Sequence, residues 1–168
     1  MSKPDLEKKK AGLISGLRDG RERILALAAA LKPDQRDEIY LGTWSSREML
    51  AHLAGWLETN VQATNEILAG EVPGFYEYAD KDWASYNALL VDEYAQDDFE
   101  ELLLVFRETH NRFLEIVEGI PASDLWKDRG IRARGRKVTI GRLLEAELQD
   151  EEEHYFQLKQ FIESGVKS

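Results

Sequence analysis

The sequence contains no cysteine, and this absence excludes several kinds of site. Disulfide scaffolds, thiolate zinc sites and cysteine nucleophiles all require that residue. The chain also lacks an apolar signal core near its N-terminus and any uninterrupted apolar run of membrane-spanning length. Because a cysteine-free chain fits a reducing compartment, we expect a cytoplasmic protein with no membrane partner.

Positive charge is in short supply over the chain as a whole. Its 168 residues include 32 acidic and 22 basic side chains, so the formal net charge is −10 at pH 7. A charge of this sign repels a phosphate backbone, and on that ground we predict no nucleic-acid partner. The 43% hydrophobic content is that of a folded protein, and the length predicts a single domain over residues 1–168.

Four long segments carry apolar residues at the spacing of one helix face. They lie at about residues 5–31, 46–69, 98–118 and 139–164. The second has the clearest start, because Ser45 and Glu48 have the spacing of a capping box. Four such segments in a chain of this length predict an all-α four-helix bundle.

The lengths of the connections predict how the helices are arranged. About a dozen residues join the first two helices, whereas residues 71–97 join the second to the third. Antiparallel neighbours need only a short loop, and parallel neighbours need a crossover as long as the bundle. We therefore predict an up-down-down-up order, with the second and third helices parallel and a short helix at residues 82–94.

Aromatic side chains concentrate in this crossover, so it could roof a cavity. A small-molecule pocket there would use aromatic and imidazole side chains as its walls. The candidates are Trp56, Phe75, Trp83, Tyr86 and His110.

The fourth long helix carries polar residues where hydrocarbon is expected. At about 100° per residue, Glu147, Glu151 and His154 fall within its apolar arc, and Asp150 falls at the edge. A carboxylate in a bundle core is costly unless it is paired, hydrogen-bonded or bound to metal. The pattern predicts a polar site inside the bundle, in which Glu147 or Glu151 is the catalytic base. The alternative is a solvated acidic turn at residues 150–153.

The chain has only three histidines, and each lies on a different predicted helix. His52, His110 and His154 all take positions on or beside the apolar faces, so they could converge. Imidazole combined with carboxylate suits Zn, Ni, Fe or Mn. Alternatively, each ring is an ordinary hydrogen-bonded residue of the core, and the protein has no cofactor.

One segment departs from the acidic character of the chain. Residues 127–137 contain six basic side chains against Asp128, a local charge of +5. Gly130 and Gly135 indicate a turn or a flexible hairpin. The segment could attract a phosphate or carboxylate of a ligand, or a nucleic-acid backbone, or it could be a solvated loop that offsets the acidic surface.

Two stretches resemble a known family. Residues 42–56 read Gly-Thr-Trp-Ser-Ser-Arg-Glu-Met-Leu-Ala-His-Leu-Ala-Gly-Trp. This resembles the second-helix signature of the DinB-like superfamily, in which a Trp-Ser helix start is followed by Leu-Ala-His-Leu and an aromatic residue. Residues 82–87, Asp-Trp-Ala-Ser-Tyr-Asn, resemble the ClbS/DfsB branch. The resemblance covers nearly the whole chain.

The resemblance implies an up-down-down-up bundle and, in many members, a divalent metal. The metal is held by one histidine of the second helix and a His-x-x-x-His pair of the fourth. His52 matches the first ligand and His154 the last, while Asp150 stands where the family usually has histidine. Members of the ClbS/DfsB branch often need no metal, and they are linked to toxin resistance by acting on a reactive small molecule.

Two classes of function follow. The first is a hydrolase or transferase that acts on a reactive small molecule. A metal would lower the pKa of water there, or the carboxylates would activate water without metal. The second is a non-catalytic bundle that binds a small molecule or forms a homodimer and holds no metal.

Overall fold

The computed structural model describes residues 2–79 and 82–165, and most of these residues are helical. The four predicted long helices are α1 (Lys3–Ala29), α2 (Ser46–Ala69), α5 (Phe99–Gly119) and α7 (Ile140–Gly165). Shorter helices are α3 (Phe75–Ala79), α4 (Trp83–Tyr94) and α6 (Ala122–Leu125). A 3-10 turn at Pro33–Gln35 and a hairpin of β1 (Arg132–Ala133) and β2 (Arg136–Lys137) complete the described elements. The predicted all-α class is confirmed.

The start of α2 is held by the predicted capping box. The Ser45 hydroxyl accepts a hydrogen bond from the Arg47 N–H at 3.1 Å, and the Glu48 carboxylate accepts one from the Ser45 N–H at 2.7 Å. At the other end Gly70 adopts a left-handed φ of 86°, which stops the helix. The capping box at Ser45 fixes where α2 begins, and with it the positions of the residues that α2 contributes to the site.

Substituting Ser45 with alanine tests this cap. The free energy of unfolding should fall by about 1 kcal/mol, because a buried backbone donor loses its acceptor. Urea denaturation measures the loss, and Ser45→Thr should retain most of the stability. Neither variant should change ligand or metal stoichiometry, since Ser45 has no role in the chemistry. Loss of binding by a fully stable Ser45→Ala protein would contradict this assignment.

Helices α1 and α7 run parallel. Gly16, midway along α1, packs so closely against Leu148 that a Cβ on Gly16 would lie 3.1 Å from a Leu148 methyl. Further along both helices, the Arg23 guanidinium lies 4.3 Å from the centre of the Tyr155 ring. Residue numbers increase together along both helices, so the two point the same way.

Helices α2 and α5 are also parallel, as the long crossover predicted. Arg47 lies over the Phe99 ring near the start of both helices, and Glu58 pairs with Arg112 further along. By contrast, α2 and α7 are antiparallel, because His52 meets Asp150 whereas Asn60 meets Glu147. The up-down-down-up order is therefore confirmed.

The crossover between α2 and α5 packs on α2. The Asp82 side chain accepts a hydrogen bond from the Ala84 N–H at 2.9 Å and caps α4, which confirms the short helix predicted there. Gly55 permits the close approach of α4, because a Cβ at this position would lie 2.8 Å from the Cβ of Leu90. The aromatic crossover thus covers α2 around Gly55.

The basic segment includes the predicted hairpin. Arg132 pairs with Lys137 across the two strands, and the turn uses left-handed backbone at Arg134 and Gly135. Asp128 receives ion pairs from Arg132 at 2.8 Å and from Lys137 at 3.0 Å. The Arg132 hydrogen bond, the Gly130 N–H and Lys137 hold the pKa of the Asp128 carboxyl well below its usual range. Asp128 therefore offsets part of the segment's positive charge.

Among residues 2–79 and 82–165, no helix combines the length and the apolar character needed to cross a bilayer.

Candidate active site and metal centre

Two antiparallel helices supply the polar residues of one cavity. Helix α2 presents His52, Trp56 and Asn60 at four-residue spacing, which places them on one face. Helix α7 faces them with Glu147 and Asp150. The cavity between these helices and the crossover has a volume of about 390 Å³.

Aromatic rings form the walls of this cavity. Trp56 meets both Phe75 and Trp83 at ring-centroid distances of 5.6 Å. The Trp56 indole N–H donates to the Asn87 side-chain oxygen at 2.9 Å, which holds the ring in place. Of the wall residues predicted from sequence, Trp56, Phe75 and Trp83 line the cavity, and the structure adds Tyr76 and Asn87.

Tyr86 has a supporting position. Its ring packs against Trp56 with 5.4 Å between centroids, and its hydroxyl lies 3.0 Å from the Thr59 hydroxyl. It does not line the cavity but borders two other depressions, together with Thr59 and Gln62. Trp83 and Tyr86, one helical turn apart on α4, thus both contact Trp56.

The three residues that the resemblance matched to metal ligands lie together. One ligand atom from each of His52, Asp150 and His154 lies within 4.8 Å of the other two. The His52 Nε2 is 3.4 Å from one oxygen of Asp150, and the His154 Nε2 is 3.7 Å from the other. Both imidazoles are buried, whereas the Asp150 side chain is 40% exposed. The cluster is thus open on one side.

Hydrogen bonding determines which atoms of the cluster carry lone pairs. The His154 Nδ1 lies 2.7 Å from the Gln157 side-chain oxygen, which can only accept, so Nδ1 carries the proton. Burial lowers the pKa of His154, which keeps the ring neutral near pH 7 with a lone pair on Nε2. Burial raises the pKa of Asp150, but the His52 hydrogen bond and the positive charges that His154 and His52 carry when protonated outweigh it and leave that pKa lowered. Two acceptors therefore face each other.

This donor set fits one divalent metal. Imidazole nitrogen with carboxylate oxygen suits Zn, Ni, Fe or Mn. Gln157 orients the His154 ring by a hydrogen bond to Nδ1, the ring nitrogen that does not face Asp150. Hydrogen-bond partners orient metal-bound histidines in the same way. With three protein ligands, further coordination positions remain for water or substrate.

Glu147 lies on the same cavity and is only 3% exposed. The Asn60 amide donates to one of its oxygens at 2.6 Å, and within the described residues the other oxygen has no hydrogen-bond partner. Burial raises the pKa of Glu147, and the negative charges of Glu151 and Asp150 raise it further. The raised pKa favours the protonated carboxyl, which can donate a proton into the cavity. Sequence reasoning assigned Glu147 the role of base and missed Asn60.

Glu151 and His110 lie outside the cavity. Both are fully buried, and the His110 Nε2 is 3.0 Å from a Glu151 oxygen, although the two groups are not aligned as a hydrogen bond. Glu151 follows Asp150 by one residue, so it points about 100° further around α7, away from α2. It faces α1, where its other oxygen approaches Gly20. The structure therefore places the second predicted base and the predicted pocket histidine in the core between α1, α5 and α7.

Burial disfavours charge on both members of this buried pair. Burial raises the pKa of Glu151, and the negative charge of Asp150 raises it further. Burial and the positive charge of Arg21 lower the pKa of His110 to about 3. A protonated carboxyl beside a neutral imidazole needs no net charge in the core.

Several solved structures share this fold. The colibactin self-resistance protein ClbS, in complex with a double-stranded DNA, has a TM-score of 0.74 and 17% sequence identity, with 90% of this chain and 94% of that chain covered. The sibling lethal factor precursor DfsB has a TM-score of 0.75 and 17% identity, with 93% and 96% covered. An uncharacterised protein from Escherichia coli UTI89 has a TM-score of 0.72 and 16% identity, with 94% of each chain covered.

The prediction of no nucleic-acid partner, made from net charge, is wrong. ClbS shares this fold, and its structure contains double-stranded DNA. Net charge is a sum over the whole molecule, and it does not describe a local patch such as the +5 of residues 127–137. A total of −10 therefore does not exclude a nucleic-acid partner for a protein of this fold.

Family membership rests on a match along most of the sequence. No curated protein matches the chain. The DinB superfamily model matches residues 17–158, which include α2, α5 and all residues of the candidate site. The chain therefore belongs to the DinB superfamily.

Proposed function

We propose that this chain is a hydrolase for an electrophilic small molecule, with one divalent metal held by His52, Asp150 and His154. One observation carries the proposal. The buried carboxyl of Glu147, whose pKa burial raises, opens onto the same cavity as His52 and Asp150, two members of the cluster that suits a metal. A proton donor and activated water are two contributions that an enzyme can combine for hydrolysis.

The walls of the cavity define how substrate is held. Trp56, Phe75 and Trp83 offer ring faces to an apolar or planar group. Asn60 and Glu147 supply the polar contacts at the inner end. A small molecule with an aromatic or flat apolar body fits these walls.

The protein groups have separate roles in the reaction. When bound, the metal supplies Lewis-acid activation of water. Asp150, ionised at neutral pH, and the Nε2 lone pair of His154 would hold the metal, and through it the attacking water, in position. Glu147 donates its proton to the atom that leaves the electrophilic carbon, as the water oxygen bonds to that carbon. The proton lost by water restores Glu147, so one water is consumed and no oxidant is needed.

A protective role follows from this chemistry. Hydrolysis removes the reactivity of an electrophile, and ClbS, of the same fold, is described as a self-resistance protein. We propose a resistance function of this kind, with the toxic compound as substrate.

Asp150→Asn tests the proposal, with Glu152→Gln as its matched control. Both remove one carboxylate charge from the same helix, but Glu152 is exposed and lies outside the cavity. Isothermal titration with Zn²⁺, Ni²⁺ and Mn²⁺ should show one site in the untagged wild type. Asp150→Asn should lower the affinity by at least about tenfold, because a charged ligand is lost. Hydrolysis of styrene oxide and 4-nitrophenyl acetate, followed in ¹⁸O-labelled water, should fall in parallel.

The control separates a site from an acidic surface. Equal losses in both variants would mean that the acidic stretch binds cations non-specifically, and the metal proposal would fail. Full ¹⁸O incorporation by metal-free protein would support the hydrolase proposal and reject the metal proposal. Retention of aromatic ligands with no hydrolysis of any compound would establish the non-catalytic alternative.

A further inference from the structure

A second cavity adjoins the first along α7. Its volume is about 520 Å³, and it lies between the hairpin and the start of α7. The two cavities share one wall, formed by Tyr76, Trp83, Leu143 and Ala146. A molecule bound in the first cavity therefore lies beside the second.

Basic side chains surround this second cavity. It is lined by Arg134, Arg136, Lys137 and Arg142, and none of the described lining residues is acidic. This concentration of cations stands in a chain of net charge −10. An anion that enters the cavity thus meets only positive side-chain charge among the lining residues described.

Two of these cations are available to a ligand. Lys137 already pairs with Asp128 at 3.0 Å. Within the described part of the chain, neither Arg136 nor Arg142 has a carboxylate at ion-pair distance. The Arg142 guanidinium donates to the Lys137 carbonyl at 2.8 Å, which anchors it at the cavity wall. Burial raises the pKa of Tyr76, and the positive charge of Arg142 opposes this rise. Arg142 is therefore close enough to the shared wall to affect Tyr76 electrostatically.

We infer that the substrate of the proposed hydrolase carries an anionic group, a carboxylate, sulfonate or phosphate, which binds Arg136 and Arg142 while its apolar body fills the aromatic cavity. The inference rests on the proposed function in calling this molecule a substrate. The anion-binding site itself does not depend on catalysis. Guanidinium groups pair with such anions through two parallel hydrogen bonds.

The charges along α7 orient such a molecule. Arg142, Ala146 and Asp150 are spaced by four residues on one side of the helix, so the basic and acidic ends are about 12 Å apart. Asp150 repels an anion from the inner end, and Arg142 attracts it to the outer end. The electrophilic carbon is therefore directed to the candidate metal centre and Glu147.

Two dyes that differ by one anionic group test the inference. Anilinonaphthalene sulfonate and N-phenyl-1-naphthylamine share their rings, and only the first carries a sulfonate. The wild type should bind the sulfonate about tenfold more tightly, and added salt should reduce only that preference. Arg136→Gln/Arg142→Gln should bind both dyes equally. Lys8→Gln/Arg107→Gln removes the same charge at exposed positions outside both cavities and should keep the preference.

Each outcome bears on the inference. Equal affinity for the two dyes in the wild type would overturn it, as would loss of the preference in the control variant. A short DNA duplex that displaces the sulfonate dye at lower concentration than naphthalene sulfonate does would assign these arginines to a phosphate backbone instead. A preference for the sulfonate in a protein that hydrolyses nothing would reject the hydrolase alone, and hydrolysis without the preference would reject the anion site alone.

Discussion

Glu147→Gln is expected to lower kcat/KM for hydrolysis by about 100-fold or more, the usual contribution of a general acid. The amide keeps the shape of the side chain and can accept the Asn60 hydrogen bond, but it has no acidic proton to give. Because only the proton transfer is lost, KM and metal content should stay close to those of the wild type. Steady-state kinetics with the best substrate of the ¹⁸O assay measure the change.

The pH profile of the wild type carries the same information. The pKa of Glu147 is raised by burial and by the charges of Glu151 and Asp150. The acid form is therefore complete at low pH, and activity should decline as pH rises through this raised pKa. In Glu147→Gln that decline should vanish along with most of the rate.

Glu151→Gln is the matched control for this experiment. It makes the same change one helical turn further along α7, but its side chain faces His110 and not the cavity. Its rate should remain within about threefold of the wild type, since it touches neither substrate nor water. A similar loss in both variants would show that the effect comes from the fold of α7, and Glu147 would lose its catalytic assignment.

His110→Gln is expected to flatten the dependence of stability on acid pH. Burial, Arg21 and Arg18 lower the pKa of His110 to about 3, against the opposing charge of Glu22 on the same α1 helix. Burial raises the pKa of Glu151, the group facing it from α7, and so favours the protonated form of that carboxyl. The folded state therefore keeps His110 uncharged, while the unfolded chain protonates it below pH 6.5.

The sign and size of the stability change follow from the difference between the folded and unfolded pKa of His110. A histidine with a depressed folded pKa contributes no penalty above pH 6.5, and stability is lost as pH falls from there toward 3. Between pH 7 and pH 5 the wild type should lose about 2 kcal/mol more than His110→Gln, from the ordinary value near 6.5. The raised pKa values of Glu147 and Glu151 act the opposite way, with stability lost as pH rises above their usual range, and both proteins share them.

Urea denaturation at several pH values measures this slope. Phe106→Leu is the control, because its fully buried ring lies 6.0 Å from His110 and its loss destabilises the core without removing the titrating group. That variant should be less stable at every pH and keep the wild-type slope. A steeper slope in His110→Gln than in the wild type would mean that His110 is charged in the folded state and forms an ion pair with Glu151.

Local features of the sequence were enough to predict the fold. The spacing of apolar residues identified the four long helices, and Ser45 with Glu48 located the start of α2. The length of the 71–97 connection predicted that α2 and α5 are parallel. These features are readable because helix periodicity, capping and crossover length depend on residues that are near one another in the chain.

The inward direction of the polar residues on α7 was also readable from the sequence. A rotation of 100° per residue places Glu147, Glu151 and His154 on the apolar arc, and all three are buried. Their proposed roles in metal binding and catalysis stay predictions.

Which of these buried groups share a cavity was decided only by the tertiary structure. One helix face contacts several neighbours, so Glu147 meets Asn60 on α2 while Glu151 meets His110 on α5. The hairpin likewise brings Arg136 to the side of α7 that carries Arg142. Such pairings join residues that are distant in the chain, and they depend on how each helix is rotated against its neighbours. No local pattern encodes that rotation, because it results from the packing of all four helices together.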